Sequence, residues 1–361
     1  MAVQTPEDVK FMSHCFNLAQ RAKGHTTPNP MVGAVLVHGE RIIGEGWHHF
    51  YGADHAEVNC LKSVAAADKH LIAESTMYVN LEPCAHHGAT PPCAHRLVHE
   101  KVKKVIVANM DPFEQVNGRG ITILKDGGVE TVAGLMEAEG AWMNRRFFCF
   151  HSQQRPYIIL KWAQTADGFI APHDRSRLQI TSAESQQLLH KWRTEETAIM
   201  VGTTTAINDN PELTARLHEG KQPLRIILDK DLQVPHTHHV YDTKAATWII
   251  NEQKELLTGN VHSVRMPFDK NLLPALLHRL HDQKILSLMV EGGAKLLTSF
   301  IEMGLWDEAR IFTGAESIGK GIVAPAIQNA SPAFTKHIGK DELQVFVNGQ
   351  SSYPYVQRME L

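Results

Sequence analysis

An α/β fold in two parts is predicted by three features of this 361-residue chain. Strand-like apolar runs alternate with helix-patterned segments through both halves, which favours helices layered on a largely parallel sheet. The length exceeds that of one ordinary domain. A polar stretch ending in proline, "HSQQRP" at residues 151–156, separates the two alternations. The expected domains are therefore 1–150 and 151–361.

Taken in order, "PEDVKFMSHCFNLAQRAKG" has helical apolar spacing, with Pro6 at its start and Gly24 as a stop. "MVGAVLVHGERIIGEGW" reads as two strands about a turn at His38 to Glu40. A helix "HAEVNCLKSVAAA", a strand "TMYVNLEP" and a helix "CAHRLVHEKV" behind two prolines follow. Next come the strand "KKVIVAN", a short helix in "GITILKDGG" stopped at Gly127, and a closing helix "GLMEAEGAWMNRRFFCF". In the second half "YIILKWAQTADG" opens a new unit. Its clearest parts are strands in "TAIMVG", "LRIILD" and "ATWIIN", a helix from Asn271 to His281, and "ILSLMVEGGAKLLTSFIEMG".

Composition narrows the function classes. With 43% hydrophobic and 21% charged residues the chain has the make-up of a soluble globular protein. A formal net charge of −3 supplies no basic field for nucleic acid or an anionic membrane. No apolar run approaches the roughly 18 residues of a membrane span. The start "MAVQTPEDVKFMSH" lacks the pattern of a signal peptide. Five cysteines, an odd number, then point to a reducing cytoplasm, where cysteines serve as ligands or core residues.

The chemistry concentrates in "EPCAHHGATPPCAHR", residues 82–96. A catalytic zinc site needs three protein ligands and an open position. Cys84 and Cys93, with eight residues between them, suit a loop closing over a metal, and Cys93 begins a helix whose N-terminus favours a thiolate. The third ligand is expected from "DHAEVNC": His55, with Glu57 two residues on. Residues at that spacing share a site only in a helix's first turn, for which Asp54 is a suitable cap. Singly, H-x-E marks an ordinary helix start and two cysteines mark ordinary packing. In this order they follow the logic of the zinc deaminases, in which one His and two Cys hold zinc and a non-ligand Glu shuttles protons. His48, His49, His86 and His87 are not needed as ligands.

At this point the chain resembles a known family. "TTPNPMVGAVLV", "GEGWHHFYGADHAEVNCL", "LEPCAHHGATPPC" and "DPFEQVNGRG" are similar to the deaminase half of the bifunctional riboflavin-biosynthesis deaminase–reductases. "LKWAQTADGFIA", "ITSAESQQLLHKWRTEETAIMVGTTTAINDNPELTAR" and "VEGGAKLLTSF" are similar to the reductase half. The resemblance implies a cytidine-deaminase-like α/β/α sandwich followed by a dihydrofolate-reductase-like α/β domain. It implies zinc and NADPH as cofactors. The implied reactions are hydrolytic deamination of a diaminopyrimidinone carrying a phosphoribosylamino group, then reduction of its ribose to ribityl.

The resemblance also implies site residues. In the deaminase Asn29, His48 and Asp111 contact substrate. In the reductase Ala163, Gln179, Thr205, Asp209 and the run Gly293, Ala294, Lys295, Leu296, Leu297, Thr298, Ser299 contact NADPH. Arg177, Arg193, Leu213, Arg216 and Glu291 contact the phosphorylated substrate, and arginine forks suit a phosphate. Three positions depart from the family pattern: Ala89 replaces a basic residue, Phe113 an asparagine, and Gln179 a tryptophan. No GxGxxG is present, so a Rossmann fingerprint is not expected. The partner is a small phosphorylated pyrimidine, with no nucleic acid and no membrane, and a homo-oligomer, a dimer by preference, is expected. Two other readings compete: a zinc deaminase of nucleic acid, and a zinc-stabilised sensor of pyrimidine nucleotides. The net charge of −3 opposes the first, and Glu57, which a closed four-ligand site does not need, opposes the second.

Overall fold

The computed structural model describes residues 5–85, 92–114, 116–174, 176, 178–328, 330–357 and 359. The chain divides into two compact units, one of Met1–Gln153 with Tyr355–Leu361, the other of Gln154–Pro354. Both edges of the expected 151–361 domain therefore move. Residues 151–153 finish a helix, Arg145–Gln153, whose apolar face buries Phe147, Phe148 and Phe150. The chain end groups with the first unit.

In the first unit, α1 (Pro6–Gln20) starts at a capping box formed by Thr5 and Asp8 and stops before the expected Gly24. The hairpin β1 (Gly33–His38) and β2 (Arg41–Trp47) follows, then α2 (Ala56–Ser63) and a 3-10 helix, Ala66–Glu74. Next come β3 (Thr76–Leu81), α3 (Cys93–His99), β4 (Lys104–Asn109), α4 (Arg119–Asp126) and β5 (Glu130–Ala133). The last elements are α5 (Glu137–Met143) and α6 (Arg145–Gln153). The sequence shows one closing helix where there are two, and no sign of β5. The break falls at Asn144, whose amide donates to the Met31 carbonyl at 2.9 Å and accepts the Met31 N–H at 2.9 Å. A long-range contact, not a local helix breaker, divides the helices.

The strand order is β2-β1-β3-β4-β5. β3, β4 and β5 are parallel, but β1 runs antiparallel to both β2 and β3. The sheet is thus mixed rather than largely parallel, because the short turn after His38 can join only antiparallel strands. Strand residues alternate between two cores. Ala34, Leu36, Met77, Val79, Val105 and Val107 pack with Cys60 and Leu61 of α2, Leu97 of α3 and Leu124 of α4. Val35, Val37, Tyr78, Ile106 and Ala108 pack with Phe11 and Cys15 of α1 and Met143 of α5. This is an α/β/α sandwich.

The second unit comprises β6 (Tyr157–Gln164), β7 (Phe169–Ala171), α7 (Ala183–Glu195), β8 (Ala198–Gly202), α8 (Thr203–Asp209), β9 (Leu224–Leu228) and β10 (Thr247–Asn251). β11 (Leu256–Thr258), β12 (Val261–Arg265), α9 (Leu272–Asp282), β13 (Ser287–Val290) and α10 (Ala294–Glu302) follow. The unit closes with β14 (Glu308–Thr313), β15 (Ile322–Val323), β16 (Phe334–Ile338) and β17 (Asp341–Val347). The main sheet has the order β11-β12-β10-β9-β8-β13-β6-β14-β17-β16, parallel from β12 to β14 and antiparallel at both edges. Leu276, Leu277 and Leu280 of α9 and Leu297 and Phe300 of α10 pack on Ile158, Leu160, Met200, Ile226 and Ile250. In such a sheet ligands bind beyond the carboxyl ends of the strands. Here those ends carry Ala163, Thr203, Asp229 and Glu291. Among the described residues no helix is long and apolar enough to cross a membrane.

Candidate active sites

In the first unit the metal cluster assembles from two helix starts and a turn. His55 is the residue that caps α2, and Glu57 lies in its first turn. Asp54 is not the cap: its carboxylate pairs with Lys62 and its carbonyl accepts from Asn59 at 3.2 Å. Gly46 of β2 lets this helix approach, since a Cβ there would sit 2.4 Å from the Cys60 nitrogen. Cys93 opens α3, and Cys84 lies in the turn after β3. His55 Nδ1 is 3.5 Å from Cys84 Sγ and 3.4 Å from Cys93 Sγ. Tetrahedral zinc with ordinary N and S bond lengths places such donors about 3.6 Å apart. The residues present therefore fit a zinc ion, with three ligands among the described residues.

The electrostatics suit a cation. Hydrogen bonding from Cys93, with His55 also contributing, draws the Cys84 thiol down to about 4, while the same pairing and burial push the Cys93 thiol up. The cysteine pair thus holds a thiolate at neutral pH. The expected helix-terminus effect on Cys93 is redirected: the Cys93 N–H, first of α3, donates to Cys84 Sγ at 3.2 Å. The Cys84 contact raises His55 to about 9. Glu57 is 4% exposed, and burial pushes its carboxyl up to about 7 against the pull of His55. It hydrogen-bonds Cys93 and is not one of the clustered ligands. A buried carboxyl beside an open three-ligand site can exchange protons with whatever enters it.

Asn29 and His48 meet beside this cluster, 3.1 Å apart from Nδ2 to Nε2. His48 Nδ1 lies 3.1 Å from the Asp54 carbonyl, which leaves Nε2 to accept from Asn29. The His48 ring stands edge-on to His55 at 5.4 Å, and burial lowers its pKa. Asp111, in the loop after β4, is 7% exposed, and burial raises it to about 7. Phe113, which replaces the expected asparagine, packs its ring 5.0 Å from His151. His86, His87 and Ala89 lie outside the described residues. Replacing both Cys84 and Cys93 by serine should drop zinc from about one per chain to a trace, since hard hydroxyls replace both thiolates. Elemental analysis of the purified variant checks this, and full zinc there would reject the ligand set.

In the second unit the predicted residues separate into two groups. Gly292 and Gly293 turn from β13 into α10, and the Gly293 N–H donates to Thr205 Oγ1 at 3.0 Å. A Cβ at Gly293 would press within 3.1 Å of that oxygen. Such a glycine turn before a helix admits a phosphate close to the backbone, so this cradle fits a dinucleotide. Ala294, Lys295, Leu296, Thr298 and Ser299 form the first turns of α10, while Leu297 is fully buried in the core and faces away. Ala163 ends β6. A polar cavity of about 320 Å³ is lined by Thr203 and Asn208 of α8 and by Asp229 and Lys230 after β9, among others.

A second cavity, about 330 Å³, is lined by Gln179, His190, Arg193, Asp209, Leu213 and Arg216 among others. Arg193 differs from expectation. Its fork closes on Glu291 at 2.8 and 2.6 Å, and its remaining arm donates to the Thr214 carbonyl at 3.0 Å. It braces Glu291 rather than presenting a free fork to phosphate. Exposed Arg216 is the cation at the cavity with no hydrogen-bond partner among the described residues. Leu213 has φ +53, a left-handed conformation costly for a branched residue and found at sites that over-determine the backbone. Gln179, in the tryptophan position, donates to the Thr181 carbonyl at 2.8 Å. Arg177 lies outside the described residues.

Two residues here went unnoticed in the sequence. Lys161 of β6 is buried, its pKa lowered by that burial, with Glu291 and Arg193 close enough to act on it. A lysine within the apolar run "YIILKWAQ" was the available signal. His190, one turn before Arg193, is pushed down to about 4 by burial and by the charges of Arg193 and Arg216.

Fold and sites together define the class: a zinc-dependent deaminase and an NADPH-dependent reductase carried on one chain. The family model for the cytidine and deoxycytidylate deaminase zinc-binding region matches residues 5–109, and that for the RibD C-terminal domain matches residues 156–337. The chain belongs to the RibD family of bifunctional riboflavin biosynthesis enzymes. It is 40% identical to the riboflavin biosynthesis protein RibD of Aquifex aeolicus over 87% of this chain and 89% of that one. With the Escherichia coli RibD it shares 32% identity over 93% and 98%. Among solved structures, a diaminohydroxyphosphoribosylaminopyrimidine deaminase/5-amino-6-(5-phosphoribosylamino)uracil reductase from Thermotoga maritima superposes with a TM-score of 0.86 at 30% identity, covering 94% of this chain and 98% of that one. Acinetobacter baumannii RibD gives 0.85 at 31% identity, over 95% and 99%.

Proposed function

We propose that the first unit hydrolyses the ring amino group of 2,5-diamino-6-(5-phosphoribosylamino)pyrimidin-4(3H)-one. The second then reduces the ribosyl group of 5-amino-6-(5-phosphoribosylamino)uracil to ribityl. The observation that carries this reading is the three-ligand cluster with Glu57 buried beside it as a non-ligand carboxyl. Zinc held by His55, Cys84 and Cys93 supplies the Lewis acidity that brings the pKa of water toward neutrality. Glu57 takes one proton of the attacking water to the ring nitrogen and then carries the remaining hydroxyl proton to the amino group, which leaves as ammonia as the carbonyl forms. Asn29 and His48 orient the pyrimidine from one side and Asp111 from another. In the second unit NADPH supplies the hydride. Thr205 and the Gly292–Gly293 turn hold its phosphates, Arg216 holds the substrate phosphate, and Glu291, braced by Arg193, contacts the ribose.

Incubating the protein with the diaminopyrimidine phosphate should release ammonia without NADPH, and added NADPH should then be oxidised. Absence of ammonia release from zinc-loaded protein would reject the deaminase assignment. Arg216→Ala should raise the reductase KM for the deaminated intermediate about 10- to 100-fold, the worth of one charge-assisted hydrogen bond. NADPH affinity should change little, and titrating cofactor and substrate separately distinguishes the two. A loss confined to NADPH would place Arg216 at the cofactor instead.

A further inference from the structure

Glu82 has no part in the chemistry above, yet its carboxylate is almost wholly buried, at 3% exposure, two residues before the ligand Cys84. Its oxygens accept three backbone N–H groups: Asp111 at 3.2 Å, Gly118 at 3.0 Å and Ile121 at 3.2 Å. The Glu82 N–H in turn donates to the Asn109 carbonyl at 2.9 Å. The amides of Gly118 and Ile121 belong to the start of α4, where backbone donors have no partner inside the helix. Gly120 brings the same turn against the metal-bearing segment, since a Cβ there would lie 2.0 Å from the Pro83 carbonyl. One side chain thus binds both ends of the loop between β4 and α4 to the turn that carries Cys84. Asp111 sits at the first of those bonds, and its own carboxylate accepts the Phe113 N–H at 2.8 Å.

We propose that Glu82 is a positioning residue for deamination: it clamps the loop from 111 to 121 onto the Cys84 turn and so holds Asp111 at the pyrimidine. The proposal rests on the reading of Asp111 as a substrate contact. Three donors converging on two oxygens also explain why a carboxylate is needed. Glutamine keeps one acceptor oxygen and sets an NH2 against the remaining backbone donors, so part of the clamp is lost.

Glu82→Gln should raise the deaminase KM about tenfold or more while kcat changes less than about threefold, with about one zinc per chain and reductase kinetics unchanged. Asp111→Asn should raise the same KM, and the double variant should be no worse than Asp111→Asn alone, because both changes act through one contact. An unchanged KM in Glu82→Gln, beside a raised one in Asp111→Asn, overturns the clamp and leaves the Asp111 reading standing. An unchanged KM in Asp111→Asn overturns that reading and the proposal with it. Additive effects in the double variant also overturn the proposal. Should Glu82→Gln not fold, Gly120→Ala decides: it keeps the carboxylate but forces α4 off the Pro83 carbonyl, and should reproduce the KM rise with zinc retained. Loss of zinc from either folded variant would mean that Glu82 holds the metal turn itself, which also overturns the proposal.

Discussion

Glu57→Gln should lower ammonia release by about 10³-fold or more, toward the upper end of what one proton carrier contributes. Zinc should remain at about one per chain, because Glu57 is not among the three clustered ligands. The fold should survive as well. Glutamine has nearly the same volume, and burial already works against the charged form of this 4% exposed side chain. Reduction of the deaminated intermediate should proceed at its normal rate, since Glu57 and the reductase residues lie in separate units. Ammonia release and zinc content measured on one preparation separate a lost proton carrier from a lost metal. A variant with full zinc that releases ammonia within about tenfold of normal would remove Glu57 from the mechanism.

The second large effect is expected at the buried pair of the reductase. Arg193 and Glu291 have side chains only 8% and 7% exposed, joined by two charge-assisted bonds. Removing Arg193 leaves Glu291 buried with only the weaker pulls of Lys161 and His190 to offset its charge, a loss of up to about 3–5 kcal/mol. Arg193→Met should therefore unfold the second unit at distinctly lower urea and abolish reduction. Arg193→Met combined with Glu291→Leu should regain much of the stability and none of the activity, because apolar replacement of a whole buried pair is often neutral. Burial alone would raise the Glu291 carboxyl, but Arg193 holds it below the ordinary glutamate value of 4.5. Its linked stability is thus fully present above about pH 4.5 and lost as the pH falls through the lower folded value. The wild-type urea midpoint should fall as the pH drops below 4.5, a loss the double variant, which lacks this carboxyl, should not share. Equal midpoints at neutral pH for wild type and Arg193→Met would show that the pair carries no stability.

Much of the architecture was legible because local signals agreed with tertiary ones. Strands such as "TMYVNL" and "KVIVAN" are apolar on both faces, as strands covered by helices on each side must be. The elements misread were those decided at a distance. Asn144 breaks the closing helix through Met31, 113 positions away in the chain. β5 is partly exposed along its length and pairs only with β4, so it carries no strong apolar signature.

The sites divide along the same line. The sequence by itself determined the candidates for the zinc site: the residue types, their order and the nearby Glu57 are properties of "HAE" and "PCAHHGATPPC". It also determined the glycine turn before α10, where Gly292 adopts φ +148, a backbone conformation that side-chain-bearing residues rarely reach. Only the tertiary structure decided which charged groups are free and which are spent. Arg193 and Arg216 look alike in the sequence, yet folding closes the first on Glu291 and leaves the second at the cavity. The Cys93 amide serves Cys84, and Glu82 gathers donors from residues 111, 118 and 121. Ligand identity is covalent and local, whereas pairing, burial and the protonation that follows from them depend on which segments are packed together and kept from water.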